Sequence, residues 1–236
     1  MTSIVFSVKS WAVWTPGADG GDCWLGSARP EAAAPMALRR RVSRLGQQAL
    51  RAAWDQPEKD RARLIFSSRH GEFARTLSIM DSITAGTEVS PADFTLSVHH
   101  ALAGLLSIAA KNTEGHTAIA AGRESLFTAL LEAAACQAEQ PERPILLAHY
   151  DEPLPAPYDH FNAEGEETAA LVIGLRPDGH RYRLSWRPAA KESPLCLCPA
   201  QELARLLAGD VPALTLTGER LCWTIEDLGE QIHAAA

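Results

Sequence analysis

From Ile4 to Trp14 apolar and small residues alternate in the way of a strand, and the run stops at TPGADGGD, a turn-rich stretch. Between Ala37 and Trp54, Leu38, Val42, Leu45, Ala49, Leu50 and Ala53 recur with a helical period, with arginines on the opposite face near its start. Leu64, Ile65 and Phe66 predict a short buried strand that runs into the Ser/Arg/His/Gly loop of RLIFSSRHGEF, and a second helix follows from Glu72 to Ile83. Ser90, Pro91 and Asp93 announce the next helix: a capping hydroxyl, a proline in the first turn, and an acid where the helix dipole favours one.

The spacing carries that helix through FTLSVHHALAGLLSIAAK. Phe94, Val98, Ala101, Leu102, Leu105, Ile108 and Ala109 form one apolar face, and Ser97, His100, Gly104, Ser107 and Lys111 form a stripe of small and polar residues, the pattern of a helix buried against a second surface. TAIAA predicts a strand that stops at Gly122, a helix follows from Glu124 to Ala138, and ILLAHY is a continuous apolar strand ending in the Pro-rich DEPLPAPYDHF. AALVIGL, RYRLSW and LTLTGERLCWT read as strands around a helix beginning near Pro199, added hairpin-fashion at a sheet edge. The alternation of strand, helix and strand predicts an α/β fold with a mostly parallel sheet flanked by helices, extra C-terminal strands, and residues 1–236 as a single domain.

Composition narrows the partners. With 46% hydrophobic and 22% charged residues the chain is an ordinary globular one, and a formal net charge of −7 argues against nucleic acid, which needs a basic footprint. Arg39, Arg40, Arg41 and Arg44 make the one compact basic cluster, suited to steering an acidic carrier protein or simply to solvation. MTSIVFSVKSWAVW lacks the pattern of a signal peptide and no apolar run approaches the ~20 residues of a membrane span, so the expectation is a soluble, cytoplasmic protein.

Candidate chemistry is sparse. Asp19 and Asp22 lack the spaced oxygen ligands of a calcium loop, and Cys196 and Cys198 form a C-x-C with no second pair to complete a zinc site. The five cysteines, an odd number, read as reduced structural thiols, and neither a metal nor a cofactor is expected. His99 and His100 point about 100° apart on a helix, so they cannot serve one site together. Ser125, in GRES, invites a hydrolase reading, but the G-x-S-x-G elbow is absent.

Three stretches are more specific together than apart: FSSRHGE at 66–72, SPADFTLSVHHALAGLLSIAAK at 90–111 and TAIAAGRESL at 117–126, followed by ILLAHYDE. In order and spacing they resemble the thiolase-like N-terminal half of beta-ketoacyl synthases, most of all the short chain-length-factor-like ketosynthase homologues of bacterial aryl polyene and type II polyketide pathways. In active members the strand matching TAIAA ends in a nucleophilic cysteine at a helix tip; Gly122 matches that place here. The histidines, or His and Asn, that run decarboxylation lie in a C-terminal half this chain is too short to contain, and His149, His160, His180 and His233 do not sit in their contexts.

The resemblance therefore implies a thiolase-like half-fold without a catalytic nucleophile, paired as a heterodimer with a full-length beta-ketoacyl synthase. It places Ser97, His100, Gly104, Thr117, Ile119 and Ala121 at the partner interface. It places Arg69, His70 and Phe73 at the far end of the partner's acyl tunnel, where bulk limits product length, and leaves Arg39, Arg40, Arg41 and Arg44 for docking an acyl carrier protein. The rival readings are a self-contained acyltransferase or hydrolase using Ser125 or a histidine, and a homodimeric scaffold.

Overall fold

In the computed structural model, residues 2–27, 30–190 and 192–230 are described; His233 and its expected inertness lie outside them. The chain runs β1 (Thr2–Pro16), β2 (Asp22–Gly26), α1 (Met36–Arg39), α2 (Arg44–Asp55), β3 (Arg63–Ser67), α3 (Phe73–Thr84), α4 (Pro91–Leu96) and α5 (Ala101–Ala110). It continues through β4 (His116–Ile119), α6 (Ser125–Glu139), β5 (Ile145–Asp151), β6 (Ala169–Leu175), β7 (His180–Pro188), α7 (Pro199–Leu207), β8 (Ala213–Thr217) and β9 (Leu221–Gly229).

Among the described residues nine strands form one sheet, in the order β4-β3-β5-β6-β1-β7-β9-β8, with β2 paired to β1. The expected class holds, an α/β sheet covered on both faces, but the direction of its strands corrects the sequence reading. Only β3 with β4 and β3 with β5 pair in parallel. Every other pairing is antiparallel. The cause is the connection after β5, which holds no crossover helix longer than the single turn Asp159–Phe161, so β6 returns beside β5 instead of repeating its direction.

The C-terminal strands are likewise not all at an edge. The 15-residue β1 pairs with β7 through its first half and with β6 through its second, changing register between Val8 and Ser10. β6, buried along almost its whole length, is central. One face of the sheet packs α6 and α7 around Ile65, Phe127, Leu147 and Trp223. The other packs α2 and α5 around Leu50, Leu64, Phe66, Leu102 and Leu106.

The single helix expected over 90–111 is two. The Ser90 hydroxyl caps α4 by accepting from the Asp93 N–H, as its sequence predicts, but Thr95 Oγ1 then donates back to the Pro91 carbonyl and Ser97 Oγ to the Phe94 carbonyl, at 2.8 and 2.9 Å. The helix ends there and restarts at Ala101. This break divides the expected apolar face: Leu102, Leu105 and Leu106 are buried, while Phe94, Val98 and Ile108 stand 68%, 50% and 78% exposed.

Candidate functional site

The parallel corner of the sheet sets the site. β4, the outermost strand on that side, ends at Ile119, and the chain turns through Gly122 at φ 62°, a left-handed conformation that glycine takes without strain, before entering α6. Ser125 holds this turn closed: its hydroxyl donates to the Gly122 carbonyl at 2.7 Å and accepts from the Ala121 N–H at 3.0 Å. Glu124, 1% exposed, accepts from the backbone N–H groups of Arg220 and Leu221 and ties the β8–β9 turn to the start of α6.

Behind Gly122 lies a cavity of about 40 Å³, lined by Arg69, His70, Arg123, His149, Asp151, Glu152, Glu166, Glu167 and Cys196 among others. That volume takes a few waters, at roughly 10–15 Å³ each. Its walls are charged, and three of its carboxylates are held by several partners each. Glu166 binds Arg69 at 3.1 Å and also pairs with Arg123, and it accepts from the Ala163 N–H at 3.0 Å. Asp151 accepts from the N–H groups of Arg69 and His70 and from the Ser68 hydroxyl, folding the 68–71 loop over its carboxylate. Glu167 accepts from Ala200 and Gln201 at the N-terminus of α7.

Burial sets the protonation of these groups. It pushes Asp151 up to about 6 against its hydrogen bonds, and Glu167 up to about 7. Glu166 stays below its usual value: burial opposes ionisation, but the Ala163 N–H and the two guanidiniums outweigh it. Burial also pulls His149 down to about 4, and burial with Arg69 pulls His70 to about 4, so both imidazoles are neutral near pH 7. The Cys196 thiol, pushed up to about 11 by burial, is protonated and a poor nucleophile. His149 Nδ1 meets Ser67 Oγ at 2.9 Å, but both residues are only 2% exposed.

Among the described residues no cluster of three or more His, Cys, Asp or Glu side chains is placed to hold a metal ion, and no helix is long and apolar enough to cross a membrane.

The family model of the beta-ketoacyl synthase N-terminal domain matches residues 11–222. The chain belongs to this family. No curated protein sequence matches it. Among solved structures, a chain from the complex of the ketosynthase ApeO with its chain length factor ApeC from Xenorhabdus doucetiae is similar over 94% of this chain and 99% of that one, at 20% identity and a TM-score of 0.73. The ishigamide ketosynthase/chain length factor aligns over 81% of this chain and 69% of its own, at 14% identity and a TM-score of 0.57. A type II PKS acyl-carrier protein complex with its ketosynthase, AntDE:AntF, aligns over 80% and 70%, at 11% identity and 0.58. At such identities the likeness is one of thiolase-like fold.

Within that ketosynthase fold the expected residues fall into separate places. Gly122 occupies the turn between strand and helix. Arg69 and His70 reach this chain's own cavity, Arg69 through Glu166, while the Phe73 ring lies edge-on to His70 and, at 5.4 Å, to Tyr158. Thr117, Ile119 and Ala121 follow the outer strand, Thr117 accepting from Arg63 at 2.9 Å. The His100 ring sits 5.3 Å from that of His116 on β4, Gly104 is half-buried on α5, and Ser97 closes α4. His99 lies in the turn between α4 and α5, against Gly71. The basic cluster divides: Arg39 bonds the Ala34 carbonyl and Arg44 pairs with Asp22 over the Trp14 ring, whereas Arg40 and Arg41 have exposed side chains. Sequence reasoning passed over Arg123, Asp151, Glu166 and Glu167; the acids of EGEET follow no helical or strand period, and that break was their one signal.

Proposed function

We propose that the chain is a non-catalytic, chain-length-factor-like subunit that pairs with a full-length ketosynthase in polyketide or aryl polyene chain elongation. Gly122 carries the reading. A glycine at the nucleophile turn offers no thiol or hydroxyl, Ser125 is spent on holding the turn, and the thiol in the cavity is protonated.

The surface supports pairing. Among the described residues β4 leaves one hydrogen-bonding edge of the sheet unpaired, where a second chain of the same fold can add a strand. The helix α3, twelve residues long, buries none of them, and a helix of that length is marginal without packing. Met80, Ile83, Phe94, Val98 and Ile108 expose their side chains on α3, α4 and the stretch through α5. The similarity to a chain of nearly this length from a ketosynthase–chain length factor complex points the same way. In the pair, Phe73 at the start of α3 and His70 beside it are the residues that would limit product length, and Arg40 and Arg41 those that would meet an acyl carrier protein.

Co-expression with a full-length ketosynthase, followed by size-exclusion chromatography and mass measurement, tests the reading. A one-to-one complex whose condensing activity vanishes when the partner's cysteine is changed supports it. Separate elution, with this chain dimeric by itself, would leave the homodimeric scaffold in its place.

A further inference from the structure

Loss of the nucleophile needs no more than Gly122, yet the space behind it is filled as well. Arg69 comes from the loop after β3, Arg123 from the turn itself and Glu166 from the stretch before β6. Their side chains are 21%, 12% and 8% exposed, and the two guanidiniums converge on the one carboxylate. Arg123 is steadied on its outer side by Glu219 at 3.5 Å. What remains is the cavity of about 40 Å³, far below the ~300 Å³ at which ligand pockets begin. An acyl chain entering there would have to displace the three side chains that occupy the space.

We propose that Arg69, Glu166 and Arg123 form a plug that closes this chain's own pocket to thioester-borne acyl chains, so that only the partner's site takes them. The inference rests on the non-catalytic reading and names what enforces it: bulk behind the turn, in addition to the missing nucleophile.

The test places a reporter thiol at the turn with Gly122→Cys, where a Cβ meets nothing nearer than Glu219 Oε2 at 3.6 Å and the left-handed φ of 62° imposes the same backbone strain in every background compared. The thiolate attacks the thioester carbonyl of a long-chain acyl-coenzyme A; a C–S bond to the protein forms, the C–S bond to coenzyme A breaks, and coenzyme A departs as a thiolate and takes up a proton. Acylation is read by mass spectrometry on the peptide carrying position 122, with iodoacetamide as a small probe of whether the thiol is reachable. Three backgrounds are compared: the native plug, Arg69→Ala/Glu166→Ala/Arg123→Ala, and Arg69→Met/Glu166→Met/Arg123→Met, which keeps the bulk and removes the charge.

Iodoacetamide should label all three, while acyl-coenzyme A should react at least tenfold faster in the alanine background and stay slow in the other two. Equal acylation in the native and alanine backgrounds would overturn the plug. Fast acylation in the methionine background would also overturn it, by assigning the exclusion to charge and not to bulk. Should the alanine triple unfold, Arg123→Ala alone keeps the Arg69–Glu166 pair, opens the space next to the turn and must show the same acceleration. Since these reactions use the isolated chain, their outcome is independent of whether it binds a ketosynthase.

Discussion

The cavity behind Gly122 and the outer face of α3, α4 and α5 follow opposite rules. Behind Gly122, Arg69 and Arg123 point inward and share the Glu166 carboxylate; on the helices, Ile83, Phe94 and Ile108 are exposed among the described residues. A ketosynthase domain that worked alone would need the reverse, open space at the turn and a polar exterior. On the pairing proposed above, the exposed apolar side chains are what a partner protein would cover.

The largest effect that would break this contrast is expected from Glu166→Ala. It leaves Arg69 and Arg123 facing each other without their carboxylate and should cost about 3–5 kcal/mol in urea unfolding; a loss below ~0.5 kcal/mol, as for a surface site, would mean the cavity is not the matched interior described above. The next effect is a pH dependence. Asp151 and Glu167 have folded pKa values raised to about 6 and about 7, so the fold prefers them protonated. Their favourable contribution is complete below pH ~4, near the unfolded values, and falls as pH rises through 6 and 7. Glu167→Gln should therefore gain stability relative to the native chain between pH 4 and pH 8, by an order of 2–3 kcal/mol; a difference constant across that range would refute the raised pKa.

On the other side of the comparison, Phe94→Asp with Ile108→Asp should leave thermal unfolding of the isolated chain within about 0.5 kcal/mol of native. The same pair should weaken binding to a ketosynthase by about 2 kcal/mol or more, roughly thirtyfold in Kd by titration; undiminished binding would move the interface elsewhere. The smallest effect belongs to Arg40→Glu with Arg41→Glu. It should slow association with an acyl carrier protein several-fold in low salt and lose its effect in high salt, where exposed charges are screened.

Much of this was legible in the chain. β3, β4, β5 and α6 emerge from runs of a few residues, and the glycine at the turn from three motifs in fixed order. The helix over 90–111 was misjudged because its apolar period continues through a point where two hydroxyls, Thr95 and Ser97, compete for backbone carbonyls. The site was legible only in part: Arg69 was singled out for a partner's tunnel, but its own carboxylate, Glu166, lies 97 residues further on.

By itself the sequence determined β3, β4, β5 and α6, the family, and the glycine at the turn, since each depends on residue type and local spacing. Only the tertiary structure decided that the sheet is chiefly antiparallel, that Arg69, Arg123 and Glu166 share one buried site, and that Phe94 and Ile108 face outward. Those outcomes depend on where distant segments meet, and neither a two-residue nor a 3.6-residue period carries that information.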